Sequence, residues 1–253
     1  MKVAVVTPTI GADTLLQCIE SVQKQTHKDF VHYIFIDGRQ HSAAAAAVLE
    51  KVKNDSIKII TLEENIGEGW YGHRVYSACS FLVNSDAICY LDEDNWFEPN
   101  HLETQAKNLS RGFAWSYSLR KIFNGKGEYL CEDNCESLGK WPIYFNDKEH
   151  HIDTSSYMVK RDIALKIGHA WYGQWGADRK FFKTLKQYYP NFGCTNQYSL
   201  CYRLDGNPNS VNHDFFKKGN SENTLKYPEG FPWRITQSTQ SKLVGPGITI
   251  TGL

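Results

Sequence analysis

Residues 87–95 read Ala87-Ile88-Cys89-Tyr90-Leu91-Asp92-Glu93-Asp94-Asn95, an unbroken apolar run that ends in three consecutive carboxylates. An apolar run without alternation is what a strand covered on both faces requires. The carboxylates at its end repel one another, each close pair by about 1 kcal/mol in water and roughly 4 kcal/mol at the effective dielectric of a protein surface. Two readings accommodate that cost: a solvated acidic turn, or a bound divalent cation that reverses its sign. If extended geometry persists past Leu91, Asp92 and Asp94 leave the same side of the chain while Glu93 points the other way. Two hard oxygen donors facing one point suit magnesium or manganese rather than zinc.

Outward from this stretch, the first half of the chain alternates short β-branched runs with helical patterns, which implies parallel strands joined by crossover helices. Strands are expected over Val3 to Thr7, Val31 to Ile36, Ile57 to Leu62 and Ala87 to Leu91. Leu15, Cys18, Ile19 and Val22 recur at helical spacing behind a Thr14/Gln17 capping box. Val75, Ala78, Cys79 and Leu82 repeat that spacing in a third helix, and Ala43 to Ala47 predict a thinly packed second one. After Pro99 a helix reaches about Leu109, and strands Phe113 to Phe123 and Glu128 to Cys131 flank the turn Asn124-Gly125-Lys126-Gly127. A helix after Val159, another from Ala177 to Tyr188 and a strand from Tyr198 to Leu204 follow. Phe215, Phe216, Phe231 and Trp233 are candidate anchors, and a flexible tail is expected from Lys242.

The 253 residues hold 28 basic and 28 acidic side chains, so no general electrostatic pull toward nucleic acid is expected. No segment approaches about eighteen apolar residues, and the run after Met1-Lys2 is too short for a signal-peptide core. A soluble, cytoplasmic protein without a transmembrane segment is the expectation, with peripheral membrane contact left open. The seven cysteines fit a reducing compartment, and Cys131 and Cys135 near His150 and His151 lack the matching second pair of a zinc site. Nothing in the sequence speaks to oligomeric state.

In open parallel sheets ligands bind outside the carboxyl ends of the strands. Those ends carry Thr7-Pro8-Thr9, Asp37-Gly38, Glu63-Glu64-Asn65 and the acidic cluster. Neither G-x-G-x-x-G after the first strand nor G-x-x-x-x-G-K-[ST] is present, which argues against dinucleotide oxidoreductases and P-loop enzymes. A nucleotide remains compatible with a metal bridging its phosphates to Asp92 and Asp94. Each position also has a plain structural reading: Thr7-Pro8 as a strand end, Asp37-Gly38 as a turn, Arg74 as a solvated helix face.

In this order the residues resemble glycosyltransferase family 2 proteins of GT-A fold. The resemblance covers about residues 1 to 110: Val5-Val6-Thr7-Pro8-Thr9, a strand ending at Asp37, Asn65-Ile66-Gly67 leading to Arg74, and Leu91-Asp92-Glu93-Asp94-Asn95. It implies an α/β GT-A (Rossmann-like) fold, a mostly parallel central sheet flanked by helices. It further implies that Thr7, Pro8 and Thr9 line the nucleotide pocket, that Asp37 meets uracil or another base, and that Arg74 holds the nucleotide. Asp92, Glu93 and Asp94 then form the DXD element on the donor, with Asp94 and Asp92 as ligands of Mn2+ or Mg2+. Gly38-Arg39 replaces the second acidic residue and Gly-Ser usual after such an aspartate, which loosens the assignment of the base.

Further along, Gly173-Gln174-Trp175-Gly176-Ala177-Asp178-Arg179 resembles the family's segment that carries the acidic base, with Asp-Arg in place of Glu-Asp. At a helix start backbone N–H groups favour an ionised carboxylate, so Asp178 reads as the base or as a plain cap, and Trp175 as a sugar-stacking face or as core. The segment from His151 to Ser156 resembles the family's stretch between the metal motif and the base, in which Asp153, Thr154 and Ser155 would touch the donor sugar, and His213 stands where several GT-A enzymes supply a metal ligand. The resemblance implies a metal-dependent, inverting glycosyltransferase that moves a sugar from a nucleotide diphosphate, UDP foremost, to a glycan or other hydroxyl acceptor. Residues 1–110 would form its nucleotide-sugar half, 111–241 its acceptor and catalytic half, and 242–253 a tail. The rivals are a nucleotidyltransferase of related architecture and a non-catalytic sugar- or nucleotide-binding module.

Overall fold

The computed structural model describes residues 1–52, 55–67, 69, 71–204 and 211–234, so the tail expected from Lys242 lies outside the described residues. The first half alternates β1 (Val3–Thr9), α1 (Leu15–Gln23), β2 (Phe30–Ile36), α2 (Ser42–Leu49), β3 (Ile57–Thr61), α3 (His73–Leu82) and β4 (Ala87–Tyr90). The second half adds β5 (Trp96–Phe97), α4 (His101–Ser110), β6 (Trp115–Phe123), β7 (Tyr129–Glu132), β8 (Tyr157–Lys160), α5 (Arg161–Ile167), α6 (Ala177–Tyr188), β9 (Phe192–Arg203) and α7 (His213–Lys226). Among the described residues these strands form one sheet in the order β3-β2-β1-β4-β8-β6-β9-β5, with β7 hydrogen-bonded to β6. The pairs β2/β3, β1/β2 and β1/β4 are parallel, as the alternating pattern predicts, whereas β8 joins β4 and β6 antiparallel.

β1 is buried on both faces, as its continuous apolar run requires, and it still contains a proline. The Val6 carbonyl accepts the Leu91 N–H at 3.0 Å on the β4 side, and the Thr9 carbonyl accepts the Asp37 N–H at 2.9 Å on the β2 side. Pro8 faces the side that β4 has already left, so its missing N–H costs no ladder bond. Across the sheet the core is aromatic: Trp115 stacks on Phe192 at 4.1 Å between centroids and Trp171 on Phe181 at 4.1 Å.

Several sequence expectations shift. Thr14 has helical dihedrals and its hydroxyl caps nothing, because it already lies inside the first turn, and Gln17 instead accepts a hydrogen bond from Arg203. The α3 stripe is rotated. Val75, Tyr76, Cys79 and Val83 are buried while Ala78 and Leu82 are exposed, since the Tyr76 ring offers far more apolar surface to the core than Ala78 does. β9 begins at Phe192 rather than Tyr198, its first half disguised by polar residues and by Asn196 at φ +59° beside a register shift. α2 is the thin surface helix expected, and its small side chains let the β1–α1 loop come close: a Cβ on Gly11 would collide with Ala44.

A buried ion cluster fastens the second half of the sheet. Arg120 on β6 donates to Asp133 at 2.8 Å, to Asp153 at 2.8 Å and to Glu136 at 2.5 Å. Burial alone would raise Asp133, but Arg120 and the N–H groups of Ser137 and Cys135 hold its carboxyl below the usual range. Arg120→Met leaves three buried carboxylates without their cation, and a loss of about 3–5 kcal/mol in urea unfolding is expected. A change under about 1 kcal/mol would contradict this account of the cluster.

Candidate active site

β1 lies between β2 and β4, so the strand order reverses across it, and the ends of these three strands form a crevice at that switch point. The crevice is a cleft of about 620 Å³ with Pro8, Thr9, Asp37, His73, Asp92 and Asp94 in its wall. A smaller cleft of about 190 Å³ adjoins it. Tyr71, His73, Asp92, Thr154 and Tyr202 line both, and Asp153, His151, Trp175, Asp178 and Arg179 line the smaller one alone. Two molecules bound side by side would meet at His73, Asp92 and Thr154.

Asp37, the first residue past β2, is held by the loop after β3: its Oδ1 accepts the Ile66 N–H at 2.9 Å and its Oδ2 the Gly67 N–H at 2.8 Å. Gly67 is required there, because a Cβ would overlap the Asp37 carboxylate. Each Asp37 oxygen keeps a second lone pair for a ligand in the larger cleft.

Extended geometry does not persist past Leu91: the Asp92 carbonyl accepts the Asn95 N–H at 3.1 Å, and a turn over residues 92–95 separates the three carboxylates. Glu93 turns back and accepts from the Thr9 hydroxyl, from the Ile10 N–H at 3.2 Å and from the Ala12 N–H at 3.1 Å, which fixes the β1–α1 loop. Asp92 accepts from the Tyr76 hydroxyl at 2.8 Å and from the Ser155 hydroxyl at 3.2 Å. Burial, followed by the charges of Asp94 and Asp153, pushes Asp92 up to about 8. Burial and the Glu93 charge push Asp94 up to about 6, against a smaller pull from Arg203. Carboxyls that hold protons near neutrality are sites where a cation displaces them. Among the described residues no group of three or more His, Cys, Asp or Glu side chains is arranged to hold a metal. Two carboxylates make no protein-only cage, but they fit Mg2+ or Mn2+ held jointly with substrate phosphates.

Across the smaller cleft, Asp178 is the second residue of α6. Its Oδ1 accepts the Arg179 N–H at 2.7 Å and its Oδ2 lies 3.6 Å from His151 Nε2. Trp175 precedes the helix and is 65% exposed, which excludes a core role; it lines the smaller cleft, with the Arg179 guanidinium over its ring at 5.7 Å from the centroid. Burial raises Asp153 despite its ion pair with Arg120, and its Oδ1 caps a 3-10 turn through the Ser155 N–H at 2.9 Å.

A family model described as glycosyl transferase family 2 matches residues 4–186. The chain belongs to glycosyltransferase family 2. An uncharacterised glycosyltransferase of Methanocaldococcus jannaschii is 29% identical over 161 residues, which cover 60% of this chain and 53% of the archaeal one. The chain therefore spans about half the length of that relative. An uncharacterised protein of Haemophilus influenzae is 30% identical over 101 residues, covering 36% of this chain and 68% of its own. Among solved structures, residues 1–349 of S. aureus TarS in complex with UDP-GlcNAc superpose with a TM-score of 0.64 at 14% identity, covering 96% of this chain and 70% of that one. The same protein in complex with UDP gives a TM-score of 0.59 at 12% identity, with 96% and 78% covered. At such identities the likeness establishes the GT-A fold.

The family 2 resemblance had put three side chains at this site that line neither cleft among the described residues. Thr7 is fully buried, one pleat repeat below Thr9, and its hydroxyl meets His32 at 2.9 Å. Arg74 lies over the Tyr172 ring at 5.6 Å, while its neighbour His73 lines both clefts and the core residue Tyr76 reaches Asp92 with its hydroxyl. His213 opens α7. The family 2 site in turn contains residues that the sequence did not single out. His73 Nδ1 donates to the Gly173 carbonyl at 3.1 Å, and burial lowers its pKa. Tyr76, which donates to Asp92, and Arg120 are the others, and His73 and Tyr76 become visible once the α3 stripe is read at the correct rotation.

Asp94 generates a prediction of definite sign. The native state binds more protons than the unfolded chain between pH 3.8 and about 6, so this group lowers stability as pH rises through that window. In metal-free buffer Asp94→Asn is expected to stabilise the fold at pH 8 by up to about 3 kcal/mol and by almost nothing at pH 4, measured by urea unfolding. Mn2+ should raise the Tm of the parent protein and leave that of the variant nearly unchanged.

Proposed function

We propose that this chain is a metal-dependent glycosyltransferase that moves a sugar, with inversion, from a nucleotide diphosphate donor to an acceptor hydroxyl. A UDP-sugar is the favoured donor and a glycan the favoured acceptor. One observation carries the reading: Asp92 lines both of two adjoining clefts, with Asp94 in the wall of the larger and Asp178 in the wall of the smaller. Pro8, Thr9 and Asp37 would hold the nucleotide, Asp37 through the lone pairs left free by Ile66 and Gly67. Thr154 and Asp153 would meet the donor sugar, with Glu93 acting through the loop it holds. Asp94 and Asp92 would hold Mn2+ or Mg2+, which when bound supplies positive charge to the departing diphosphate. Thr7, Arg74 and His213, which the resemblance also assigns to this site, line neither cleft among the described residues.

Asp178 would take the proton of the acceptor hydroxyl while that oxygen bonds to the anomeric carbon and the bond to the diphosphate breaks. Trp175 offers the acceptor sugar an apolar face beside that carboxylate. Residues 1–110 would thus form the donor half and 111–241 the acceptor half. The nucleotidyltransferase alternative fits poorly, because the loop N–H groups of Ile10 and Ala12 are engaged by Glu93 instead of standing open for a phosphate.

Calorimetry with UDP, GDP and dTDP, each with and without Mn2+, tests the donor side. Tightest binding is expected for UDP, and it should be lost in Asp94→Ala; metal-independent binding would contradict the role given to the acidic pair. Asp178→Asn should leave UDP affinity within about twofold and lower turnover by about 10²- to 10⁴-fold. Product NMR from an α-linked donor should show a β-glycoside, and an α-glycoside would overturn inversion.

A further inference from the structure

We infer that His151 is a positioning residue for the proposed base, its Nε2–H directed at Asp178 Oδ2. The inference rests on Asp178 being that base and adds how its carboxylate is aimed.

His151 is 5% exposed and lines the smaller cleft. Its backbone is fixed: the His151 carbonyl accepts the Gly139 N–H at 2.9 Å, and the neighbouring His150 Nδ1 donates to the Gly139 carbonyl at 2.8 Å. Gly139 has φ +62°, and a Cβ there would run into the Tyr117 ring, so this anchor cannot shift freely. Nδ1 of His151 is buried without a hydrogen-bond partner, whereas Nε2 stands 3.6 Å from Asp178 Oδ2. A buried N–H left without an acceptor is rarer and costlier than a buried lone pair left without a donor. With a single ring proton, the partners place it on Nε2, facing the carboxylate, and leave Nδ1 bare.

Asp178 is then approached by a donor at each oxygen, the Arg179 N–H at Oδ1 and the His151 N–H at Oδ2. The remaining lone pairs are left for the cleft, where the hydroxyl proton must arrive. A separation of 3.6 Å is longer than a made hydrogen bond, and such contacts tighten when substrate closes the site. His151 keeps its own proton throughout; the proton from the acceptor goes to Asp178.

The test uses hydrolysis of UDP-, GDP- and dTDP-sugars by the full chain with Mn2+, in which water takes the acceptor's place and released nucleotide is the readout. His151→Ala is expected to lower kcat by about 10²-fold, as a misplaced reacting group does, with UDP affinity by calorimetry within twofold. His151→Gln, whose amide nitrogen can stand near the position of Nε2, should recover most of kcat. His151→Asn, whose amide reaches only to the position of Nδ1, should not. Introduced into Asp178→Asn, His151→Ala should cost nothing more. Equal activity of the Gln and Asn variants, an unchanged kcat in His151→Ala, or losses that multiply with Asp178→Asn would each overturn the inference. Full activity of Asp178→Asn, or no hydrolysis of any donor by the parent protein, would overturn the base reading itself and the inference with it.

Discussion

The placement of this site depends on one guanidinium. Arg120 is buried on β6, with Asp133, Glu136 and Asp153 around it, the Tyr202 ring 4.5 Å away and the Phe216 ring 5.4 Å away. It thereby fastens β9, α7 and the segments holding residues 133–137 and 153–156 to the centre of the sheet. A buried ion pair is weak evidence of stability, because desolvation offsets most of its attraction. Its effect here is geometric. Asp153 gives one oxygen to Arg120 and the other to the Ser155 N–H, and the Ser155 hydroxyl then meets the Asp92 carboxylate. Three short links lead from a core cation to the acidic pair, so the smaller cleft and the larger one are aligned by the same cluster.

The parallel half of the fold was legible because β1, β2 and β4 are buried on both faces and continuous apolar runs report that directly, while β3 at the sheet edge is largely exposed. The acidic pair stood out as carboxylates at the end of an apolar run, although it is a turn over residues 92–95, not an extended strand, that sets Asp92 and Asp94 in the cleft wall. Readability fell where a residue's surroundings come from distant segments. Thr7 and Thr9 are alike in sequence and in facing and both are buried, yet only Thr9, at the end of the strand, lines the cleft. Arg74 attracted attention as a cation, yet the rotation of α3 is set by the Tyr76 ring, which gives the cleft to His73. Arg120 stood inside an expected strand with nothing nearby in sequence to mark it, since its partners lie 13 to 33 residues later.

The acidic pair and the ion cluster answer the same physical problem in opposite ways. Around Arg120 the buried carboxylates share a cation supplied by the chain, which holds Asp133 low although burial still raises Asp153. Asp92 and Asp94 are desolvated too, but hydroxyl donors reach only Asp92, and both carboxyls are driven upward. A fold selected for stability alone would place a cation of its own there. Arg203 comes nearest, and its Nε donates to the Asp94 main-chain carbonyl at 3.0 Å, with its Nη1 and Nη2 on Gly125 and Gln17. The chain therefore brings positive charge up to the acidic pair and spends its hydrogen bonds elsewhere. Uncompensated charge at the edge of a cleft is what a site needs if its counter-ion is to arrive together with a ligand, because a pair already neutralised by arginine has little left to gain from a divalent ion.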